Sequence, residues 1–263
     1  MFEDEFLAMI AAVKEANIVV KEIYEKGFDV KIKEDDSPVT TADIASNKII
    51  RKHLGVFDKI AWLSEEDNDN LDRLTNDLVF VVDPLDGTQD FVNHDGTFGI
   101  NIALVYKHEP ILSVIGFPAW NSFAYAIKGK GSFYVDSKDK TTRLHVSNRT
   151  KDLIFIGSKT HFLDSEKELI AKNKDLIKKV VTSGASTKAL MLARGDADVS
   201  IRFTKETKEW DTCAPDLLIK EAGGVFLDTK LNEIKYNRED VYNRDGYCMF
   251  NRIENTCLLK WRN

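Results

Sequence analysis

The sequence predicts an α+β first half and an α/β second half packed on a shared interior. Three observations carry this. The chain opens with an apolar stripe at helical spacing, turns strand-rich from Gly99, and after about residue 150 alternates strands with helices. Its 263 residues, 43% hydrophobic and 30% charged, suffice for a substantial core in one large domain or two modest ones.

Taken in order, Phe2, Phe6, Met9, Ile10, Val13, Ala16, Val20, Ile23 and Tyr24 recur at the helical period and define a first amphipathic helix. The segment SPVTTAD breaks that pattern. A second helix is expected over Thr41–Leu54, capped by Thr40 or Thr41. KIAWLSEE reads as a short strand ending in acid. DNDNLDRLTND has the look of a calcium loop, but Asp72 stands where an EF-hand requires Gly, so it reads as a solvated loop. LVFVV is a buried strand, and a short helix is expected to start at Thr88. GINIALVYK, PILSVIGFP and SFAYAIK follow as strands, and KGKGSFYV adds a hairpin.

In the second half LIFIGS is a strand, Asp164–Lys172 a helix and KKVVTSG a strand. STKALMLARGD is a helix stopped by Gly195, and ADVSIRF the next strand. DTCAPDLLIKEAGG is a helix with Pro215 in its first turn, where a missing N–H is cheapest, and VFLD is a closing strand. The division falls at 1–150 and 151–263.

Composition excludes several function classes. A net charge of −6 offers no basic footprint for nucleic acid or an anionic membrane. The opening MFEDEFLAMI is unlike a signal peptide, and no apolar run approaches the roughly 20 residues a membrane span needs. Three cysteines without zinc-like spacing suggest reduced thiols in a cytoplasmic protein. Cys213 is expected to act as a small buried hydrophobe, and His94 and His108 carry no assigned role.

Acidic residues gather where elements begin or end. Singly, Asp43 and Asp211 read as helix caps, and Glu65 with Glu66 as a solvated acidic loop. Asp83 and Asp86 are harder to dismiss. Two carboxylates on one rigid turn repel each other unless a cation sits between them. The candidate ligands are all oxygens, which favours Mg2+ over Zn2+. Gly87 lets backbone N–H groups approach an anion at the helix start. Metal beside a phosphate cradle is the chemistry of phosphoryl transfer.

DPLDGTQDF resembles the metal signature of the inositol monophosphatase-like superfamily of Mg2+-dependent, lithium-sensitive phosphatases. SPVTTAD, LSEE and EWDTCAPDLLIKEAGG resemble its other motifs, in the same order along nearly the whole chain. The resemblance implies a layered αβαβα sandwich of the sugar-phosphatase type. It also implies two or three Mg2+ ions per site. Glu65, Asp83 and the carbonyl of Leu85 would hold one, Asp83, Asp86 and Asp211 a second, with a third through Glu65. Thr88, hydrogen-bonded to Asp43, would orient the attacking water while Glu65 assists its deprotonation. Gly87 and Thr88 N–H groups would hold the phosphate beside Asp86 and Asp211.

Within the superfamily, DFVNHDGTFGINIAL, GSKTH, STKALMLARGDAD with Arg202, and WDTCAPD look most like the 3′(2′),5′-bisphosphate nucleotidase branch, with Ala185 where some members carry a hydroxyl. That branch removes the 3′-phosphate of 3′-phosphoadenosine 5′-phosphate, a by-product of sulfate activation. His161, Lys188 and Arg202 would bind the phosphate that is not hydrolysed. The first half would then carry most metal ligands, the second Asp211 and the specificity residues. The partner expected is a small phosphorylated substrate, with no membrane and no stable nucleic-acid partner; a homodimer is compatible. An inositol monophosphatase is the alternative enzyme, and a non-enzymatic partner of transcription or RNA machinery the alternative of another class.

Overall fold

The computed structural model describes residues 2–32 and 38–261; Met1 and Ser37, each the first residue of a segment quoted above, lie outside them. α1 (Glu3–Lys26) is followed by the hairpin β1 (Val30–Ile32) and β2 (Pro38–Thr40), then α2 (Thr41–Leu54). The next elements are β3 (Ala61–Ser64), β4 (Leu78–Asp86) and the short α3 (Thr88–Val92). A meander follows: β5 (Gly99–Tyr106), β6 (Glu109–Phe117), β7 (Ser122–Ile127), β8 (Gly131–Val135) and β9 (Thr141–Arg143). The remainder is β10 (Leu153–Ser158), α4 (Asp164–Lys172), β11 (Ile177–Ser183), α5 (Thr187–Ala193), β12 (Val199–Arg202), α6 (Glu209–Glu221), β13 (Val225–Asp228), β14 (Tyr247–Phe250) and α7 (Asn255–Leu258).

Two sheets organise these pieces. β3 to β9 form one of seven strands in sequence order, and the other has five in the order β11-β10-β12-β14-β13. Alternation along β4 sends Phe80 and Val82 into a cluster with Met9, Val13 and Val20 of α1 and Ile50 of α2. Val79 and Val81 point the other way, to Leu217 and Leu218 of α6 and Leu190 of α5. Phe226 and Met249 of the second sheet reach that same cluster, while Val199, Leu227 and Phe250 face Leu169 of α4. The order is therefore helices, sheet, helices, sheet, helices: the αβαβα sandwich. Each fully buried aliphatic or aromatic side chain here stabilises the fold by roughly 1.5–3 kcal/mol.

Three expectations need correction. The DNDNLDRLTND segment is not wholly solvated, because it contains a 3-10 turn, Leu71–Thr75, and Arg73 is buried. That guanidinium pairs with Asp69 at 2.7 Å and reaches Asn237 at 2.8 Å, a partner far along the chain. Pro215 sits inside α6, not in its first turn. The helix starts at Glu209, because the Asp211 carboxylate accepts from the backbone N–H of Lys208 at 2.6 Å and so caps the turn before it. Without an N–H at Pro215, the carbonyl of Asp211 loses its helical partner. Finally, β1, β2, β9, β14 and α7 were not anticipated. Each is three or four residues long, too short for a period to show.

Candidate active site

β4 ends in an irregularity that explains its two carboxylates. Its register with β5 runs regularly to Asp83 opposite Asn101, then moves to Asp86 opposite Gly99. Three steps on β4 match two on β5, so one residue is extra: a β-bulge. Residues three apart on a regular strand face opposite ways, and the extra residue turns Asp86 back towards the side of Asp83. Pro84 is tolerated there because a residue within the bulge falls outside the ladder, which asks no N–H of it. The rigid turn expected at this point is thus a bulged strand end.

Asp211, in the first turn of α6, completes the group. Ligand oxygens of Asp83, Asp86 and Asp211 all lie within 4.8 Å of one another. Burial drives Asp83 well above the carboxylate range, and Glu65, Asp86 and Asp211 push it further. Burial, then Asp86 and Glu65, raise Asp211 to about 8. Asp86 is raised by burial, while Lys188 opposes the shift, as do hydrogen bonds from Asn101 Nδ2 (3.1 Å) and the Ser186 N–H (2.7 Å). Crowded carboxylates that resist ionising are what an oxygen-ligated divalent cation relieves. The donor set fits a hard metal ion. Glu65 lies outside the close trio, in the turn after β3, but near enough for its charge to raise both Asp83 and Asp211.

Beside the trio, capping and site geometry share one residue. Thr40 caps α2, accepting from Ala42 N–H at 3.1 Å. Asp43 Oδ2 accepts from the Thr40 N–H at 2.7 Å and its hydroxyl at 2.6 Å. The other oxygen, Oδ1, accepts from the Thr88 hydroxyl at 3.1 Å. Asp43 is therefore both the helix cap its position suggests and the partner of Thr88. Thr88 Oγ1 is also 3.1 Å from the Leu85 carbonyl, and one hydroxyl hydrogen serves both acceptors. Gly87 has φ +86°, and a Cβ there would come 2.9 Å from that of Ala185, so both backbone and space demand glycine.

The second half contributes Lys188, Arg202 and His161. Lys188 is 6% exposed and donates to the Ala185 carbonyl at 2.8 Å. Burial lowers its pKa against the opposing charge of Asp86. Arg202 is 5% exposed. Its Nη1 donates at 2.7 Å both to Glu166 Oε1 and to the backbone carbonyl of His161. The remaining Glu166 oxygen accepts from the Leu163 N–H at 2.9 Å, at the start of α4. Lys188 thus stands within electrostatic reach of Arg202 on one hand and of Asp86 on the other. The His161 ring is exposed, and only its carbonyl is tied to Arg202.

Several residues around the site escaped the sequence reading. Asn101, which steadies Asp86, carried a signal: it is a lone amide in the apolar run GINIALVY. Asp67 anchors the turn that holds Glu65, accepting from Arg51, Asn47 and Trp62. Asp90, in the signature itself, is buried, raised to about 6 by that burial, and accepts from the Thr160 hydroxyl. Glu166 gave no signal, since its partner Arg202 follows 36 residues later.

Comparison with known proteins shows the family. The model of the inositol monophosphatase family matches residues 3–260. The 3′(2′),5′-bisphosphate nucleotidase CysQ of Aggregatibacter actinomycetemcomitans is 30% identical over 247 residues, covering 92% of this chain and 90% of that protein. The nucleotidase of the same name from Haemophilus influenzae is 32% identical, over 84% and 83%. Among solved structures, CysQ from Bacteroides thetaiotaomicron, described as a bacterial member of that family, superposes with a TM-score of 0.82 at 29% identity, covering 95% and 98%.

Proposed function

The chain belongs to the inositol monophosphatase family and is a phosphatase, and from that premise we propose that it hydrolyses the 3′-phosphate of 3′-phosphoadenosine 5′-phosphate, with Mg2+, to AMP and phosphate. One observation carries the choice of substrate. Two buried cations, Lys188 and Arg202, stand within reach of each other, and Lys188 within reach of Asp86, where a substrate with a second phosphate would need them. The names of the nucleotidase relatives support the same reading. No described helix is long and apolar enough to cross a membrane, in keeping with a cytoplasmic enzyme acting on a small phosphorylated ester.

Glu65, Asp83, Asp86 and Asp211, with the Leu85 carbonyl, would hold the ions. Bound Mg2+ supplies the positive charge that lets a phosphate dianion approach these carboxylates and stabilises charge on the attacking and leaving oxygens. Thr88 donates to Asp43 and so turns its lone pairs towards the attacking water, whose proton Glu65 helps to remove. N–H groups of Gly87 and Thr88 receive the reacting phosphate. Lys188 and Arg202, with His161 beside them, receive the other.

The deciding measurement is kcat/KM for 3′-phosphoadenosine 5′-phosphate against inositol 1-phosphate. A strong preference for the bisphosphate is expected, and equal or reversed values would favour the inositol monophosphatase reading. Lys188→Met should lower kcat/KM for the bisphosphate roughly ten- to a hundredfold, the worth of one charge-assisted contact, and spare the monophosphate. Arg202→Ala is a different experiment. It leaves Glu166 buried and unpaired, which costs on the order of 3–5 kcal/mol, so a clear fall in melting temperature should accompany any loss of activity.

A further inference from the structure

Tyr247 occupies a position that the proposed reaction has not yet used. In the antiparallel pair of β12 and β14 it lies directly opposite Arg202, and such pairs project to the same face of the sheet. That face is the one turned towards α5, α6 and the first sheet, where Asp86 and Asp211 sit. Gly246 brings the strand in: it has φ +68°, and a Cβ there would run into the Arg202 carbonyl. The Tyr247 ring stacks nearly flat on Phe226, with centroids 5.3 Å apart and planes 9° from parallel. One rigid platform therefore fixes the direction of the hydroxyl.

That hydroxyl is unusual for a tyrosine only 8% exposed, since it has no hydrogen-bond partner among the described residues. Nor is it among the sealed, unpartnered oxygens of the interior, so it keeps some accessible surface. Phenols so placed ordinarily find an acceptor. Arg202, Glu166, Asp86 and Asp211 all lie near enough to act on it electrostatically, so it stands within reach of both the second-anion residues and two members of the acidic trio. Burial raises its pKa, against Arg202, so it stays a donor.

We propose that the Tyr247 hydroxyl is a specificity-determining contact, donating a hydrogen bond to a substrate oxygen between the scissile phosphate and the second phosphate. The acceptor is a ribose or phosphate oxygen of a nucleoside bisphosphate. This rests on the bisphosphate reading above. Because the hydroxyl has no partner among the described residues, its removal orphans none of them, and Phe keeps the stack on Phe226.

Tyr247→Phe and the wild type are compared on three esters with Mg2+: adenosine 3′,5′-bisphosphate, adenosine 3′-phosphate and p-nitrophenyl phosphate. The variant should raise KM for the bisphosphate roughly tenfold, change kcat less, and match the wild type on p-nitrophenyl phosphate and in melting temperature. An effect confined to the bisphosphate assigns the acceptor to the second phosphate; one shared with adenosine 3′-phosphate assigns it to the ribose. If the wild type discriminates and the variant is indistinguishable from it, or falls equally on all three, the Tyr247 contact is overturned alone. A wild type that does not prefer the bisphosphate overturns both this contact and the substrate reading.

Discussion

Asp83→Asn should lower phosphate release from every substrate by on the order of a thousandfold or more, at saturating Mg2+, with the fold intact. Asp83 is the member of the trio with almost no exposure, and Glu65, Asp86 and Asp211 all act on it. An amide there offers a neutral ligand where the proposed pair of metal ions needs a bridging charge. Losing several kcal/mol of transition-state charge stabilisation corresponds to three or more decades of rate. Stability should move the other way. The folded pKa of Asp83 lies above its unfolded value, so its contribution to stability is full below about pH 4 and is lost as pH rises through the folded pKa. Asp211, at about 8 in the folded protein, behaves alike. The metal-free wild type should therefore melt at a lower temperature at pH 8 than these groups would allow at pH 5. Asp83→Asn should reduce that loss. Comparable turnover by the variant would sink the bridging role, and an unfolded variant would show that Asp83 holds the strand end together.

The contrast between rate and stability separates what the sequence shows from what it hides. The apolar run before Asp83, the helical stripe of α1 and the alternation of strands with helices in the second half are local patterns, and local pattern is the signal that survives in a single chain. The oxygen-only ligand set was legible for the same local reason, since Asp83 and Asp86 lie on one short segment. The bulge was not, because it is a statement about pairing with β5 and leaves no local mark. Arg73 read as loop charge because its partner Asn237 lies 164 residues away. Arg202 read as a substrate ligand, and the buried carboxylate of Glu166, which decides how that guanidinium is held, belongs to a different element, α4. Tyr247 lay in a stretch too short to read as a strand. What sequence reasoning lost, then, was mostly the long-range pairing that gives buried polar groups their partners.

Asp43 shows that competing readings of one residue can both hold, and this gives the second large effect. Thr88→Ala should lower kcat by roughly 10²–10⁴, the range for losing a positioned proton-transfer partner, with KM little changed. The hydroxyl is partly exposed and the helix cap does not depend on it, so melting temperature should shift little. Thr88→Ser, which restores the hydroxyl, should recover most of the rate. Asp43→Asn is the sharper probe. Its one remaining carbonyl oxygen can still accept from the Thr40 N–H at the cap, which turns the amide NH2 towards Thr88. Thr88 then becomes the acceptor, which takes up one of its lone pairs and leaves its hydrogen to the Leu85 carbonyl or to the water whose lone pair must attack. The polarity of the relay is reversed with its geometry preserved. A loss of kcat equal to that of Thr88→Ala, with the double variant no worse than either single one, would establish the two residues as a unit. If Asp43→Asn instead lowers melting temperature and leaves kcat untouched, Asp43 is a helix cap alone and Thr88 must be oriented by the Leu85 carbonyl.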